Sequence, residues 1–203
     1  MTSIVAICAN GTVAAKDVTT QQWDARMQKR YDFAAGILSI PQVGTKLAKK
    51  QPLFCHTNIV ECGLFLVENK SDERINQSRN ERHILIYDSG KNEFAIGRIY
   101  EALSYSSACL YAIMCTTQTS MPFDVYVHGL ALRKDIGDSC IFRRENGDNP
   151  DRLYFVRGHV AVSIRKNPSC NGSLFDLAKA IDEAILSDSE GVANGTRTNN
   201  DVR

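Results

Sequence analysis

The chain has 203 residues, of which 43% are hydrophobic and 23% are charged, which is enough for one folded domain that buries most of its apolar side chains. Lys and Arg total 24 and Asp and Glu total 23, so the formal net charge is +1. No global field therefore draws the protein to nucleic acid or to anionic lipid. Binding to such partners would have to depend on a local patch.

The N-terminal residues, MTSIVAICANGTVAAKD, lack the basic segment and the long apolar core of a signal peptide, and they predict a first strand. No window approaches the roughly 18 apolar residues of a membrane span. Seven cysteines, an odd number, favour reduced thiols over a disulfide framework. We therefore expect a soluble cytoplasmic or nuclear protein that does not bind membranes.

An amphipathic helix is predicted between Thr19 and Pro41. Thr19 and Gln22 have the spacing of a capping box, and Pro41 cannot continue a helix. The apolar stripe of this helix consists of Trp23, Met27, Tyr31, Ala34, Ile37 and Leu38. Residues 69–82 contain one large apolar residue, Ile75, and predict a mobile surface loop.

Residues 54–65, FCHTNIVECGLF, concentrate groups that could bind a metal or act in catalysis. These groups are Cys55, His56, Glu61 and Cys62. In a strand, His56 and Cys62 would lie roughly 20 Å apart. In a helix, Cys55 and Cys62 would lie about 10 Å apart along the axis. Zinc requires sulfur ligands within about 2.3 Å of the ion. We therefore predict no metal site and no cofactor.

Residues 54–68 form a core element, either helix or strand, on this interpretation. The favoured interpretation gives the segment no chemical role and consists of a buried cysteine with a capped or half-buried histidine. One question stays open, namely whether Cys55 or His56 is completed by His128 or His159 from the sheet.

The middle of the chain predicts a hairpin followed by a buried helix. Residues 83–99, HILIYDSGKNEFAIGRI, contain two apolar runs on either side of a turn sequence. Residues 100–118 are apolar or small almost all the way round, so a helix there would be buried. Cys109 and Cys115 are then packing residues.

Three strands and a closing helix are predicted after this. Residues 123–134, FDVYVHGLALRK, alternate and then change phase, which predicts a β-bulge at Gly129. Residues 139–144 predict a short strand, and residues 152–166, RLYFVRGHVAVSIRK, predict one long strand. Residues 173–186 predict an amphipathic helix whose capping box is Ser173 with Asp176.

The predicted fold class is α+β, with a single domain over residues 1–186. It contains a largely antiparallel sheet of about five to six strands packed with about three to four helices. Residues 187–203 are polar and rich in Gly and Asn, and they predict a disordered C-terminal tail.

A three-strand meander would gather polar and aromatic side chains on one face of the sheet. The first strand would contribute Asp124, Tyr126 and His128, and the last would contribute Phe155, Arg157, His159 and Arg165. The middle strand would contribute either Cys140, Phe142 and Arg144 or Ile141 and Arg143. An ordinary solvated or helix-covered face is the alternative to a functional one.

Protein binding, including self-association, is the function that this face favours most, because arginine with aromatic residues is typical of interface hot spots. The predicted centre is Tyr126, His128, Arg157 and His159. The full predicted binding set is Tyr126, His128, Arg143, Phe155, Arg157, His159 and Arg165.

Two other functions use the same residues. A small hydrolase or transferase would use His128 or His159 as acid and base, Asp124 to orient it, and Cys140 as nucleophile. An RNA-binding protein would place the basic stretch 143–166 on phosphates and stack bases on Phe155 or Tyr126. The sequence contains no phosphate-binding, dinucleotide or nucleophile-elbow motif. Enzymatic activity therefore stays undecided.

Overall fold

The computed structural model describes residues 20–38, 44–47, 59–70, 81–118, 122–144 and 150–194. Within these ranges the chain forms four helices and eight strands. The predicted α+β class with an antiparallel sheet is confirmed, whereas the predicted strand number is wrong, because the sheet has eight strands. The predicted N-terminal strand, Cys55 and His56 lie outside the described residues.

The elements follow one another in chain order. The helices are α1 (Thr20–Leu38), α2 (Tyr105–Thr117), α3 (Phe123–Gly129) and α4 (Leu174–Asn194). The strands are β1 (Ile59–Cys62), β2 (Phe65–Lys70), β3 (Glu81–Tyr87), β4 (Glu93–Glu101), β5 (Leu130–Arg133), β6 (Ser139–Arg143), β7 (Arg152–Arg157) and β8 (Val160–Lys166).

The sheet joins two antiparallel meanders, and its strand order is β1-β2-β3-β4-β8-β7-β6-β5. The first meander is β1 to β4 and the second is β5 to β8. They meet where β4 pairs with β8, from Ala95 opposite Lys166 to Glu101 opposite Val160. Strands that are consecutive in sequence are thus adjacent in the sheet, except at its centre, where β4 lies next to β8.

Helix α4 covers one face of the sheet. Its stripe, predicted from the sequence, is buried as expected and consists of Leu174, Leu177, Ala178, Ile181 and Ile185. Ser173 caps the helix, because its Oγ accepts a hydrogen bond from the backbone N–H of Asp176 at 3.2 Å. The strand residues beneath include Phe155, Val162 and Ile164, all nearly inaccessible to solvent.

Helix α2 covers part of the opposite face, as its apolar circumference predicts. Ala108, Cys109 and Ala112 pack against Tyr154 and Val156 of β7. Ser104 caps the helix by accepting a hydrogen bond from the backbone N–H of Ser107. Because α2 sits over only part of this face, a neighbouring strip of the sheet is left uncovered by it.

The predicted strand at residues 123–128 is wrong, because these residues form helix α3. Alternation over so few residues does not distinguish a strand from a short helix. Phe123 and Tyr126, three positions apart, contact one another with ring centroids 6.4 Å apart, which is the i,i+3 neighbourhood of a helix. The strand β5 begins only at Leu130, so no bulge at Gly129 is needed.

The predicted single strand over residues 152–166 is also wrong, because it is a hairpin of β7 and β8. Gly158 makes the turn with a positive φ of 54°. The alternation conceals the turn because both faces of this part of the sheet are buried, so apolar residues occupy both sets of positions.

Residues 59–70, which include the described part of the ambiguous region 54–68, form the β1–β2 hairpin, with Cys62 buried beneath α4. Helix α4 continues to Asn194, beyond the helix end at residue 186 that the sequence suggests. Among the described helices, none combines the length and apolarity required to cross a membrane.

Candidate anion-binding groove

The predicted binding face is not assembled, because its residues are divided among a helix and both faces of the sheet. Tyr126 lies on α3 and is only 1% exposed. Its ring packs against Phe33 of α1, and its hydroxyl forms a 2.9 Å hydrogen bond with the Thr116 hydroxyl. Asp124 and His128 lie on the same helix and are exposed. Tyr126 is thus a core residue in this fold.

Arg157 belongs to a closed ionic network on the α4 side of the sheet. Its guanidinium binds both carboxylate oxygens of Asp182, at 2.7 and 2.6 Å, and reaches Asp138 at 3.0 Å. Asp138 also accepts hydrogen bonds from the Thr45 hydroxyl and from the backbone N–H groups of Thr45 and Gly158. This network ties α4 and the segment 44–47 to the β7–β8 turn.

The pKa values within this network reflect the pairing. Hydrogen bonds from Arg157 to Asp182 raise the pKa of the guanidinium above its ordinary value. Burial raises the pKa of Asp138, but hydrogen bonds from Thr45 and Gly158 outweigh burial, so the net shift is downward. Both groups are therefore charged at neutral pH and neutralise one another.

The predicted catalytic residues do not converge. Cys140 lies under α4 and is 1% exposed, and burial raises the pKa of its thiol to about 12. His159 lies in the β7–β8 turn, with Nε2 3.4 Å from Glu101. His128 lies on α3, on a different element from both. Within the described ranges, no group of three or more His, Cys, Asp or Glu side chains could hold a metal ion.

A row of three arginines lies beside α2, with Arg165 exposed, Arg152 partly exposed and Arg143 buried. Arg143 of β6 lies directly opposite Arg152 of β7, which in turn lies directly opposite Arg165 of β8. Directly opposed residues of antiparallel strands project from the same face with Cβ atoms about 4.5–5.5 Å apart. Three guanidinium groups are therefore held side by side by the register of the sheet.

A second row, which consists of a lysine, a histidine and an arginine, lies beside the first. Lys70 of β2 is opposite His83 of β3, and His83 is opposite Arg98 of β4. Arg98 is opposite Ser163, two residues before Arg165 on β8, so the two rows follow one another across six neighbouring strands. We call these residues the cationic track: Lys70, His83, Arg98, Arg165, Arg152 and Arg143.

One carboxylate, Asp151, partly neutralises the arginine row. It accepts hydrogen bonds from Arg143, the shorter at 2.7 Å, and lies 3.6 Å from Nε of Arg152. The Nε of Arg152 is buried and makes no hydrogen bond within the described part of the chain. No hydrogen bond or ion pair joins Arg165 to another described residue. The positive charge therefore increases from Arg143 towards Arg165.

Glu81 balances part of the second row. It lies 3.5 Å from Arg98 and 3.4 Å from His83. Burial lowers the pKa of Arg98, but Glu81 together with Tyr111 and Cys115 outweighs burial, so the net pKa is raised. Lys70 is exposed and, like Arg165, is joined by no hydrogen bond or ion pair to another described residue.

The cationic track lines an open groove of about 390 Å³. The last turn of α2 forms one side of it through Cys115 and Gln118, and Lys70, His83, Arg98, Arg152 and Arg165 all contribute to its lining. An adjoining cavity of about 530 Å³ continues past Arg152 and Arg165 to Arg143, with Glu93 and Asp151 on its wall. This arrangement can bind an anion with several oxygen atoms, because guanidinium forks match such groups.

Two predicted binding residues, Arg143 and Arg165, do lie on the track, whereas Phe155 is 0% exposed beneath α4. Sequence reasoning missed Lys70, His83 and Arg98 as members of one site, and it included Arg152 only within the basic stretch 143–166. They are spread over more than 80 positions and come together only through strand register, and the chain offers no local signal for that. Comparisons with protein-family models, with curated proteins and with solved structures give no match.

Proposed function

We propose that this protein is a binding module whose ligand is anionic and is held in the groove by the cationic track. The observation that carries the proposal is the direct cross-strand register of Arg152 with Arg165, beside which Asp151, among the described residues, pairs mainly with Arg143. Like charges directly opposite one another destabilise a sheet. A bound anion would offset that repulsion and form charge-assisted hydrogen bonds.

The geometry of the row supports a ligand with clustered oxygen atoms. Arg165 is exposed, and Arg152 is partly exposed, with its side chain 27% accessible. Their neighbour Ser163 adds a hydroxyl to the lining of the groove. A polyphosphate or a comparable oxyanion could contact both guanidinium groups at once, whereas a single carboxylate could satisfy only one fork.

This proposal keeps the binding function predicted from the sequence and moves it to another surface. The predicted centre is less suitable, because Tyr126 is buried and Arg157 is already paired with Asp182 and Asp138. A hydrolase dependent on Cys140 has less support, because a buried thiol with a raised pKa is a poor nucleophile at neutral pH.

Thermal unfolding with inorganic tripolyphosphate tests the proposal. A ligand that binds only the folded state stabilises it by about 2.7 kcal/mol at a hundred times its dissociation constant. We expect tripolyphosphate to raise the melting temperature of the wild type and not that of the double variant Arg152→Gln with Arg165→Gln. Arg133→Gln is the matched control, because Arg133 pairs with Asp135 and does not line the groove.

Two results would contradict the proposal. The first is an equal shift in the wild type and the double variant, because the anion would then bind elsewhere. The second is no shift in the wild type at low salt, where electrostatic binding is strongest.

A further inference from the structure

The cationic track is longer than a small anion needs. Its six residues occupy six neighbouring strands, and the last of them, Arg143, is buried. With strands about 4.8 Å apart, the accessible part from Lys70 to Arg152 extends about 19 Å across the sheet. A tripolyphosphate at Arg152 and Arg165 would leave Lys70, three strands further on, without a role. The length of the track indicates a polymeric anion.

The surroundings of the track argue against a folded protein as the occupant. Protein interfaces depend on apolar or aromatic anchors that become fully buried. The exposed large hydrophobic residues of the described chain are Leu64, Leu103, Val125 and Leu132. None of them lines the groove or the adjoining cavity. Among the described residues that line the groove, Leu85 and Ile96 are partly exposed and none is an exposed large anchor of the kind that protein partners bury.

Aromatic stacking contributes little at this surface. Tyr154, the aromatic residue among those lining the groove, is only 6% exposed. Phe155 and Tyr126, which the sequence suggested as stacking platforms, are buried elsewhere. A nucleic acid on the track would therefore be held by its phosphates, without selection among bases.

The C-terminal end of α2 forms a wall on one side of the groove. Cys115, in the last turn of the helix, and Gln118, the residue after it, both belong to the groove lining. An extended single strand can follow a groove between a helix and a sheet, whereas a duplex presents a broad cylinder that this wall would hold away from Arg152. The groove geometry thus favours one strand over two.

We infer that the cationic track binds the phosphodiester backbone of a single-stranded nucleic acid, laid across the strands from Lys70 to Arg152. This inference rests on the proposed anion-binding function and specifies its ligand. A length of about 19 Å corresponds to the lower end of the site sizes of about 4–16 nucleotides found for single-strand-binding surfaces. RNA and DNA share the contacted group, so both bind.

Fluorescence anisotropy with labelled oligouridylates of increasing length tests the inference. Affinity is expected to rise with length until the track is filled and then to level off. The logarithm of the binding constant is expected to fall with the logarithm of salt concentration with a slope of about −0.7 per phosphate contacted. Oligothymidylates of the same length give the same slope, because the bases and the 2′-hydroxyl are not read.

Lys70→Ala distinguishes a polymer from a small anion. Removing one phosphate contact at the far end of the track reduces the magnitude of the salt slope by about 0.7. The melting-temperature shift produced by tripolyphosphate is unchanged in this variant. Lys134→Ala, which removes an exposed lysine outside the groove, is the matched control and leaves both measurements unchanged.

Each remaining outcome overturns the inference in a distinct way. If tripolyphosphate binds but oligonucleotide affinity does not increase with length, the groove holds a small anion and only the proposed function survives. If oligoglutamate of matched length competes as well as oligouridylate, the ligand is an acidic protein segment. If a duplex binds as tightly as a single strand, the restriction to one strand is wrong. If no anion binds, both proposals fail.

Discussion

Arg157 and Arg165 lie on opposite faces of one sheet, only a hairpin apart, and their surroundings differ in nearly every respect. Arg157 is enclosed by α4 and by segment 44–47, and two aspartates neutralise it. Arg165 is exposed, faces Arg152 directly and is joined to no other described residue by an ion pair. The same side chain therefore serves to hold the fold together on one face and is unsatisfied on the other.

This difference shows how a functional surface can be recognised without a family to compare with. Charged residues in the interior of a fold are paired, because an unpaired buried charge is costly. Cationic groups that lie directly opposite one another with few neighbouring carboxylates destabilise the sheet. Such a cluster is a reason to expect a ligand that provides the missing charge.

The largest effect is expected in the core that underlies the Arg157 network. Phe155→Ala removes a ring that is 0% exposed beneath α4, and it should lower the free energy of unfolding by about 3–5 kcal/mol. Urea denaturation measures this. Val125→Ala, at a side chain that is 49% exposed on α3, is the control and should change stability by less than about 0.5 kcal/mol. Equal losses would mean that α4 does not seal this face.

Arg157→Ala should give the next largest effect, a loss of about 3 kcal/mol, because it leaves the largely buried carboxylate of Asp182 without its partner. Arg165→Ala is the direct comparison and should alter the free energy of unfolding by less than about 0.5 kcal/mol. Both are measured by urea denaturation at neutral pH. Similar losses in the two variants would remove the distinction between the two faces.

The stability of the face that contains the Arg157 network should depend on pH. Because the folded-state pKa of Asp138 is lower than its unfolded value, its stabilisation is present above about pH 4 and is lost as the pH falls through the folded pKa. Asp138→Asn should therefore flatten the decline in the free energy of unfolding as the pH falls below about 4. Parallel curves for the variant and the wild type would show that Asp138 is not held in this way.

The smallest effect is expected on the open face. Arg165→Met removes one of the opposed guanidinium groups and should raise the free energy of unfolding by about 0.3 kcal/mol at low salt. The gain should disappear at high salt, where the repulsion is screened. Arg133→Met should instead lower stability, because Arg133 pairs with Asp135 and lies 3.9 Å from the Phe175 ring. A loss in both variants would mean that Arg165 is not under repulsion.

Much of the fold could be predicted from local pattern. The 3.6-residue stripe of α4, the apolar circumference of α2 and the turn chemistry between β3 and β4 each identified the correct element. The errors fall where a local pattern is compatible with two structures. Residues 123–129 are too few to distinguish periods of 2.0 and 3.6, and the turn at Gly158 lies within an unbroken alternation.

The candidate site was less predictable than the fold. Arg143 and Arg165 were found because they lie in a visibly basic stretch, but their relation to Arg98 and Lys70 depends on the β4–β8 and β2–β3 pairings. Strand order between distant segments is a tertiary property that no single-sequence pattern encodes. The last predicted strand is in fact the two strands β7 and β8. Residues after the turn at Gly158 therefore lie on the opposite face from the one that a single strand would give them.

The pairing of β4 with β8 has a further consequence for motion and folding. Each meander contains hairpins that close locally and rapidly, whereas the seam between them brings together residues roughly 60 to 70 positions apart. The seam should be the last part of the sheet to form and the boundary between two units in native-state hydrogen exchange. Arg98 and Arg165 lie on either side of it. A single-stranded nucleic acid bound to both arginines would hold β4 and β8 together. Its binding should therefore slow amide hydrogen exchange in these two strands before it does so in the rest of the sheet.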